Sequence, residues 1–265
     1  MSSYKVGADP ELFLADMTGK KILSAIGKIG GTKENPIQVE KMPKGFCYQE
    51  DNVLVEYNIP PCASVDHFVK NNRAMIAYLE KKVRDELNCT LKIQASTIMD
   101  EDQLRDPAAH IFGCEPDFNV WTLMPNPRPV AKNKALRSAG GHIHIGLANM
   151  SRVDKVMLGR LLDWQLGLWS VIKDSDTRRR ELYGQAGSIR FKPYGLEYRT
   201  LSNFWLRNET LMEHVFTGVA SALECHREKL YDTITKYGAK IEAAINNSDK
   251  IAAEHYLAGD WKYHA

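Results

Sequence analysis

A polar pair at strand spacing occurs four times in this chain: Asp9 and Glu11 in GADPELFL, Glu56 and Asn58 in EDNVLVEYNIPP, His142 and His144 in GGHIHIG, and Glu197 and Arg199 in GLEYRTLSN. Residues two apart on a strand project from the same face. Four such strands side by side line one sheet surface with carboxylates, imidazoles and a guanidinium, where most sheets place valine and leucine. Any fold that contains them must give these charges partners, and bound ions are the simplest.

The rest of the composition is ordinary. The chain has 265 residues, 44% hydrophobic and 26% charged, within the range of a globular protein. A formal net charge of +2 gives no electrostatic case for nucleic acid or an anionic membrane. The opening MSSYKVGADPE lacks an apolar signal core, and no apolar run is long enough to span a bilayer. Five scattered cysteines without a C-x-x-C pair argue against a disulfide framework. The expectation is reduced thiols and a cytoplasmic location.

Periodicity and punctuation predict a strand over Lys5 to Ala15, with Pro10 placing it at an edge or bulge. A glycine-rich excursion covers Ile22 to Pro43, and a long strand or hairpin runs from Phe46 to Ile59. Ser64 opens a helix to about Leu87, with Phe68, Met75, Leu79 and Val83 on its buried face, and a short strand follows near Leu91 to Ala95. From Asp100 to Ala139 there is little periodicity, as in a loop that covers a site. Gly140 to Leu147 is a strand, and Ser151-x-x-Asp154 reads as a capping box opening an apolar helix to about Ile172. Ser188 to Lys192 and Glu197 to Leu201 are strands around Pro193-Tyr194-Gly195. Helices at Glu209 to Leu230 and Lys240 to His255 complete one α+β domain over residues 1–265, an antiparallel sheet with helices on one side.

The candidate residues follow from the doublets. Asp9 and Glu11 on a partly buried strand repel each other unless a cation neutralises them. Glu56, between Val55 and Tyr57, is a further ligand candidate; Glu50 joins it by parity, or Asp51 if a bulge shifts the register. His142 and His144 share a parity between glycines that permit close backbone approach. Imidazoles among carboxylates suit Mg²⁺ or Mn²⁺. Arg190 and Arg199 lie inside strands, where a guanidinium needs carboxylate or phosphate oxygens. The triplet Arg178 to Arg180 reads as helix-end charge. Glu115 and Asp117 in GCEPDF form either an exposed acidic turn or a selector for a cationic or amino-acid substrate.

These segments, in this order, resemble the carboxylate–amine ligase superfamily of glutamine synthetase and glutamate–cysteine ligase, and most of all its small phage-type COOH–NH2 ligases. GADPELF is similar to the superfamily's acid-x-acid first strand, GGHIHIG to its His-x-His strand, and SIRFKPYGLEYRTLSNFW to its closing signature. The resemblance spans residues 4 to 208. It implies a curved antiparallel sheet with helices on its outer face, like the glutamine synthetase catalytic domain. It further implies ATP and two or more Mg²⁺ or Mn²⁺ ions. One ion falls to Asp9, His142 and Glu197 on the nucleotide side, and another to Glu11, Glu56 and Glu50 nearer the amine. His144, Arg190, Lys192 and Arg199 then contact the nucleotide phosphates, and Glu50 or Asp51 accepts the amine proton.

The implied reaction is ATP-dependent amide formation through an acyl phosphate, joining a small-molecule or peptide carboxylate to an amine. A guanidino-type phosphotransferase and an inactive binding protein on the same fold stand as alternatives, with a metal-dependent hydrolase behind them. The apolar helices leave room for a homo-oligomer. If the chain is phage-encoded, the host cytoplasm is its compartment.

Overall fold

The structure, a computed structural model, describes residues 4–111, 117–130 and 132–258. Its strands are β1 Lys5–Asp16, β2 Ile22–Leu23, β3 Ile37–Gln38, β4 Cys47–Asp51, β5 Leu54–Asn58, β6 Cys89–Lys92, β7 Ser96–Ile98, β8 Phe118–Asn119, β9 Leu136–Ser138, β10 Gly141–Gly146, β11 Ser188–Lys192 and β12 Gly195–Tyr198. Its α-helices are α1 Val65–Leu87, α2 Arg152–Leu162, α3 Leu168–Lys173, α4 Glu209–Arg227, α5 Asp232–Asn246 and α6 Lys250–Ala258.

The main sheet runs β3-β4-β5-β1-β10-β12-β11-β8, with β2 and β6 also paired to β1, and every pairing is antiparallel. The sheet stays open and uncurled. This corrects the expected curvature: it ends at β3 and β8, strands of two residues each that are too short to carry the sheet round.

β1 is the central strand, which corrects the edge or bulge position expected from Pro10. Pairing with β10 ends at Pro10↔Gly141, and pairing with β5 begins at Glu11↔Glu56. The missing N–H thus falls where the ladder changes partner.

Alternation along β1 separates two faces. Ala8, Leu12 and Leu14 join Val55, Tyr57, Ile143, Ile145, Ile189, Leu196 and Tyr198 in the main core, which also holds Phe68, Met75, Leu79 and Val83 of α1 and Val215, Phe216 and Val219 of α4. On the other face Phe13 packs with Val53, Leu54, Met99, Leu104, Ala109 and Ala139 in a smaller cluster. The stretch expected to be a bare loop supplies part of that cluster. It contains the short helical turns Glu101–Leu104 and Pro107–His110 and the strands β8 and β9.

The helix signals act as the sequence suggests. Ser64 caps α1 at His67 N, and Ser151 and Asp154 cap each other at the start of α2. Between α2 and α3 the rod widens into a π-turn, Asp163–Gly167. The expected helix from Lys240 is instead two helices, broken at Asn247–Asp249. Ser248 there has φ 53°, and the Asp249 carboxylate accepts from Ala252 N.

Candidate active site

The register places the doublets in one row. Gln49 lies opposite Glu56, Glu56 opposite Glu11, Asp9 opposite His142, His144 opposite Glu197, and Glu197 opposite Arg190. Directly opposed residues share a face, so β4, β5, β1, β10, β12 and β11 present these side chains to a single cleft. That cleft, about 410 Å³, is lined by Asp9, Glu11, Asp51, Glu56, His142, His144, Arg190, Lys192, Glu197 and Arg199 among others.

Charge is graded across the row. On the β4–β5–β1 side Glu11, Asp51 and Glu56 can offer oxygens within 4.8 Å of one another. Glu11 is 7% exposed and Glu56 4%. Burial pushes the Glu56 carboxyl well above the usual range, and Asp9, Asp51 and Glu11 push it further. Burial also raises Glu11, with Asp51 adding to the effect. Gln49 Nε2 donates to Glu56 (3.1 Å), and Gly140 N donates to Glu11 (2.6 Å).

In the middle, Asp9, His144 and Glu197 form a second group within the same 4.8 Å limit. His144 Nε2 lies 3.0 Å from Asp9 Oδ2. Burial opposes the charge on Asp9, yet His144 and then His142 hold its carboxyl well below the usual range. Burial alone would lower His144, but Asp9 beside it raises the imidazole above its usual value.

On the β12–β11 side the cations gather. Lys192 Nζ is 2.8 Å and Arg190 Nη1 3.6 Å from Glu197, and Arg199 Nη1 donates to the same carboxylate. Burial works against Glu197, but Arg199 leads the charges that hold it at about 2.

His142 and His144 play different parts. Arg199 Nη1 lies 3.2 Å from His142 Nδ1. A guanidinium has no acceptor, so that nitrogen accepts. His142 Nδ1 is 3.6 Å from Asp9 and 3.9 Å from Glu197, so the ring adjoins the group while facing Arg199. Gly140 makes room for it, since a Cβ there would stand 2.3 Å from His142 Nε2.

Glu50 falls outside the cluster and is corrected as a ligand and proton acceptor. Its carboxylate accepts from the backbone N–H groups of Gly27, Ile29 and Gly30 at 3.0, 2.9 and 2.7 Å, holding the glycine-rich excursion. Asp51 takes the cleft-facing position. Asp117 is neither an exposed turn nor a free selector: it is 8% exposed, 2.8 Å from Arg199 Nε and 3.6 Å from Arg190 Nη2. Glu115 lies outside the described residues.

Three further residues went unmarked in the sequence. Arg179, within the dismissed triplet, is 3% exposed and donates to the carbonyls of Ala139, Arg199 and Thr200. Tyr194 Oη lies 2.5 Å from His144 Nδ1. Asp163 accepts from Trp121 Nε1 and Tyr198 Oη behind the row.

The residues fit divalent cations. Asp9 Oδ1, His144 Nε2 and Glu197 Oε2 are buried polar atoms at the centre of the row, with Asp9 Oδ2 3.0 Å from His144 Nε2 and Lys192 Nζ 2.8 Å from Glu197 Oε2. One imidazole among carboxylate oxygens is a donor set for Mg²⁺ or Mn²⁺.

Fold and site together define an α+β protein with an open antiparallel sheet, one face of which is a cradle of acids, imidazoles and arginines. Residues 133–262 match the family model described as Phage phiEco32-like COOH.NH2 ligase-type 2. The match supports a ligase that joins a carboxylate to an amine, and it takes in His142, His144, Arg190, Lys192, Glu197 and Arg199. Asp9, Glu11 and Glu56 precede the matched stretch and enter the site through sheet pairing. No curated protein matches the chain. Among the described residues, no helix is long and apolar enough to cross a membrane.

Proposed function

We propose that this protein is an ATP-dependent carboxylate–amine ligase on a glutamine synthetase-like scaffold, forming an amide through an acyl phosphate and releasing ADP and phosphate. The observation that carries the reading is the pair of three-ligand groups on one sheet face, flanked on one side by Arg190, Lys192 and Arg199. A single ion would need one such group. Two, with three cations beside one and Lys33 alone beside Asp51 of the other, suit a triphosphate laid across the row.

Asp9, His144 and Glu197 would hold an ion on the phosphate side, and Glu11, Asp51 and Glu56 would hold a second. When bound, the ions neutralise charge on the transferring phosphoryl oxygens. Arg190 and Lys192, whose side chains are 25% and 27% exposed, contact those oxygens from the opposite side. Arg199, 5% exposed and bridging Asp117 to Glu197, orients Glu197 and keeps His142 in place. A substrate carboxylate attacks the γ-phosphorus, ADP leaves, and an amine attacks the activated carbonyl and expels phosphate. Asp51, on the wall shared by the cleft and the neighbouring cavity lined by Arg179 and Tyr183, accepts the amine proton.

The test is incubation with Mg²⁺, ATP and pooled amino acids and polyamines, with and without hydroxylamine, followed by mass analysis. ADP together with a hydroxamate is the expected result. AMP would indicate adenylation instead. ADP with a phosphorylated guanidino compound would favour the phosphotransferase, and no turnover with any pool would favour a binding protein.

A further inference from the structure

Tyr194 occupies the two-residue turn between β11 and β12, a position where an aromatic residue usually does nothing but cover the strand ends. Its backbone needs no help from its side chain: Tyr194 O already accepts from Leu147 N at 2.9 Å. The ring is nevertheless turned onto the site. Its hydroxyl reaches His144 Nδ1 at 2.5 Å, and the two rings lie with centroids 6.0 Å apart. The ring also borders a cavity of about 670 Å³ whose walls include Lys5, Asn58, Ile59, Pro61, Leu147 and Asn149. The hydroxyl is thus Tyr194's polar link to the cleft.

The opposite nitrogen of the same imidazole points into the ion-binding group. His144 Nε2 is buried, lies 3.0 Å from Asp9 Oδ2, and is grouped with Asp9 and Glu197. A neutral imidazole carries one proton, and the partner of one nitrogen decides the state of the other. A tyrosine hydroxyl can donate or accept, so it can settle a histidine in the form that leaves Nε2 free for a cation.

We infer that Tyr194 is the positioning residue for His144: its hydroxyl oxygen accepts the Nδ1 proton and so turns the Nε2 lone pair toward a divalent cation shared with Asp9 and Glu197. The inference rests on the two-ion reading of the site but does not require that the protein be a ligase. Partners of this kind typically change metal affinity 10- to 100-fold.

The experiment is Mn²⁺ binding to the nucleotide-free protein, followed by calorimetry and by the electron paramagnetic resonance signal of free Mn²⁺. Tyr194→Phe keeps the ring and the cavity wall and removes the hydroxyl alone. The expected result is one Mn²⁺ site weakened at least tenfold, with the site of Glu11, Asp51 and Glu56 unchanged. Asp51→Asn should give the converse. In the Mg²⁺-loaded wild type, ¹⁵N spectra of His144 should show the proton on Nδ1, which tests the assignment without any variant. Wild-type Mn²⁺ affinity at both sites in Tyr194→Phe, or a proton on Nε2 in the Mg²⁺-loaded protein, would overturn it. A wild type that binds no Mn²⁺ would remove the two-ion reading itself and this assignment with it. A wild type that binds Mn²⁺ but yields no hydroxamate would count against the ligase alone.

Discussion

Asp163 is the residue whose titration should be most visible in the stability of this protein. It is fully buried in the π-turn, and its carboxylate accepts from Trp121 Nε1 at 2.6 Å, Tyr198 Oη at 2.8 Å and Thr200 Oγ1 at 3.3 Å. Burial nevertheless raises its pKa from 3.8 to about 7. A group raised on folding holds its proton in the native state after losing it in the unfolded chain. Its contribution to stability is therefore complete below the unfolded value and lost as pH rises through about 7. Integrating between those two values, the loss is about 2 kcal/mol by pH 5 and about 4 kcal/mol by pH 8, a fall of roughly 2–3 kcal/mol across that window. Asp163→Asn cannot ionise. Its amide oxygen can still accept from Trp121, and its amide nitrogen can donate to Tyr198, whose hydroxyl rotates to accept. Urea unfolding of both proteins at pH 5, 6, 7 and 8 should show the wild type losing that amount relative to the variant. Other groups titrate in the same window, so the difference between the two curves is the quantity to read. Parallel curves would refute the argument, because they would mean that the carboxylate is already ionised in the native state at pH 5.

Glu197 should behave in the opposite sense. It is held at about 2 against an ordinary 4.5, so its stabilisation is present above the unfolded value and lost as pH falls from about 5 to 2. Glu197→Gln should be destabilised at pH 7, with the gap to wild type narrowing by roughly half at pH 3 and closing only near pH 2 in acid-unfolding curves. Arg179→Leu strips donors from three buried carbonyls and should cost about 3–5 kcal/mol in urea unfolding, with little change in unfolding slope. Glu56→Gln removes the most crowded buried carboxylate. The ion-free variant should melt above the wild type at pH 7. The wild type should gain about 2.7 kcal/mol more than the variant when Mn²⁺ is supplied at 100 times the dissociation constant of that site.

What could be read in advance followed from local spacing. Asp9 with Glu11, and His142 with His144, sit two apart on real strands, so their shared face needed no long-range knowledge. Glu50 shows the limit of that logic. Reading Phe46 to Ile59 as one strand gives Glu50 and Glu56 the same parity, but the chain turns at Asn52–Val53, with Asn52 at φ 56°. Across that two-residue turn odd-numbered residues pair with even-numbered ones, as Gln49↔Glu56 and Glu50↔Val55 show. The turn sends Glu50 to the far side and brings Gln49 and Asp51 into the cleft. Asp117 on Arg199, Tyr194 on His144 and Arg179 on the carbonyls of 199 and 200 depend on how distant segments dock, which no local period encodes. Asp163 did leave a signal: a carboxylate in the middle of a helix that is otherwise apolar on every side needs buried donors.

The gradient of charge along the row predicts that one end of the cradle should depend on bound ions more than the other. Around Glu197 and Asp117 the protein supplies its own cations, Arg190, Lys192 and Arg199. Asp9, next along, has the two imidazoles. Glu11, Asp51 and Glu56 have Lys33, 3.4 Å from Asp51 and half exposed, as their nearby ammonium. The same asymmetry appears in the ionisation of the groups: Glu197 and Asp9 are held below the usual carboxylate range, while Glu11 and Glu56 are pushed above it. A divalent cation bound at the second end would therefore displace protons that the first end has already lost. Ion binding there should release protons and weaken as the pH falls, whereas binding beside Glu197 should hardly depend on that carboxylate's protonation. On the proposed two-ion reading, an ion beside Glu197 would compete with fixed cations and bind through His144. An ion at the other end would meet carboxylates with far less fixed charge to oppose it. A cradle built this way would load its two ends under different conditions, although both lie on a single sheet face.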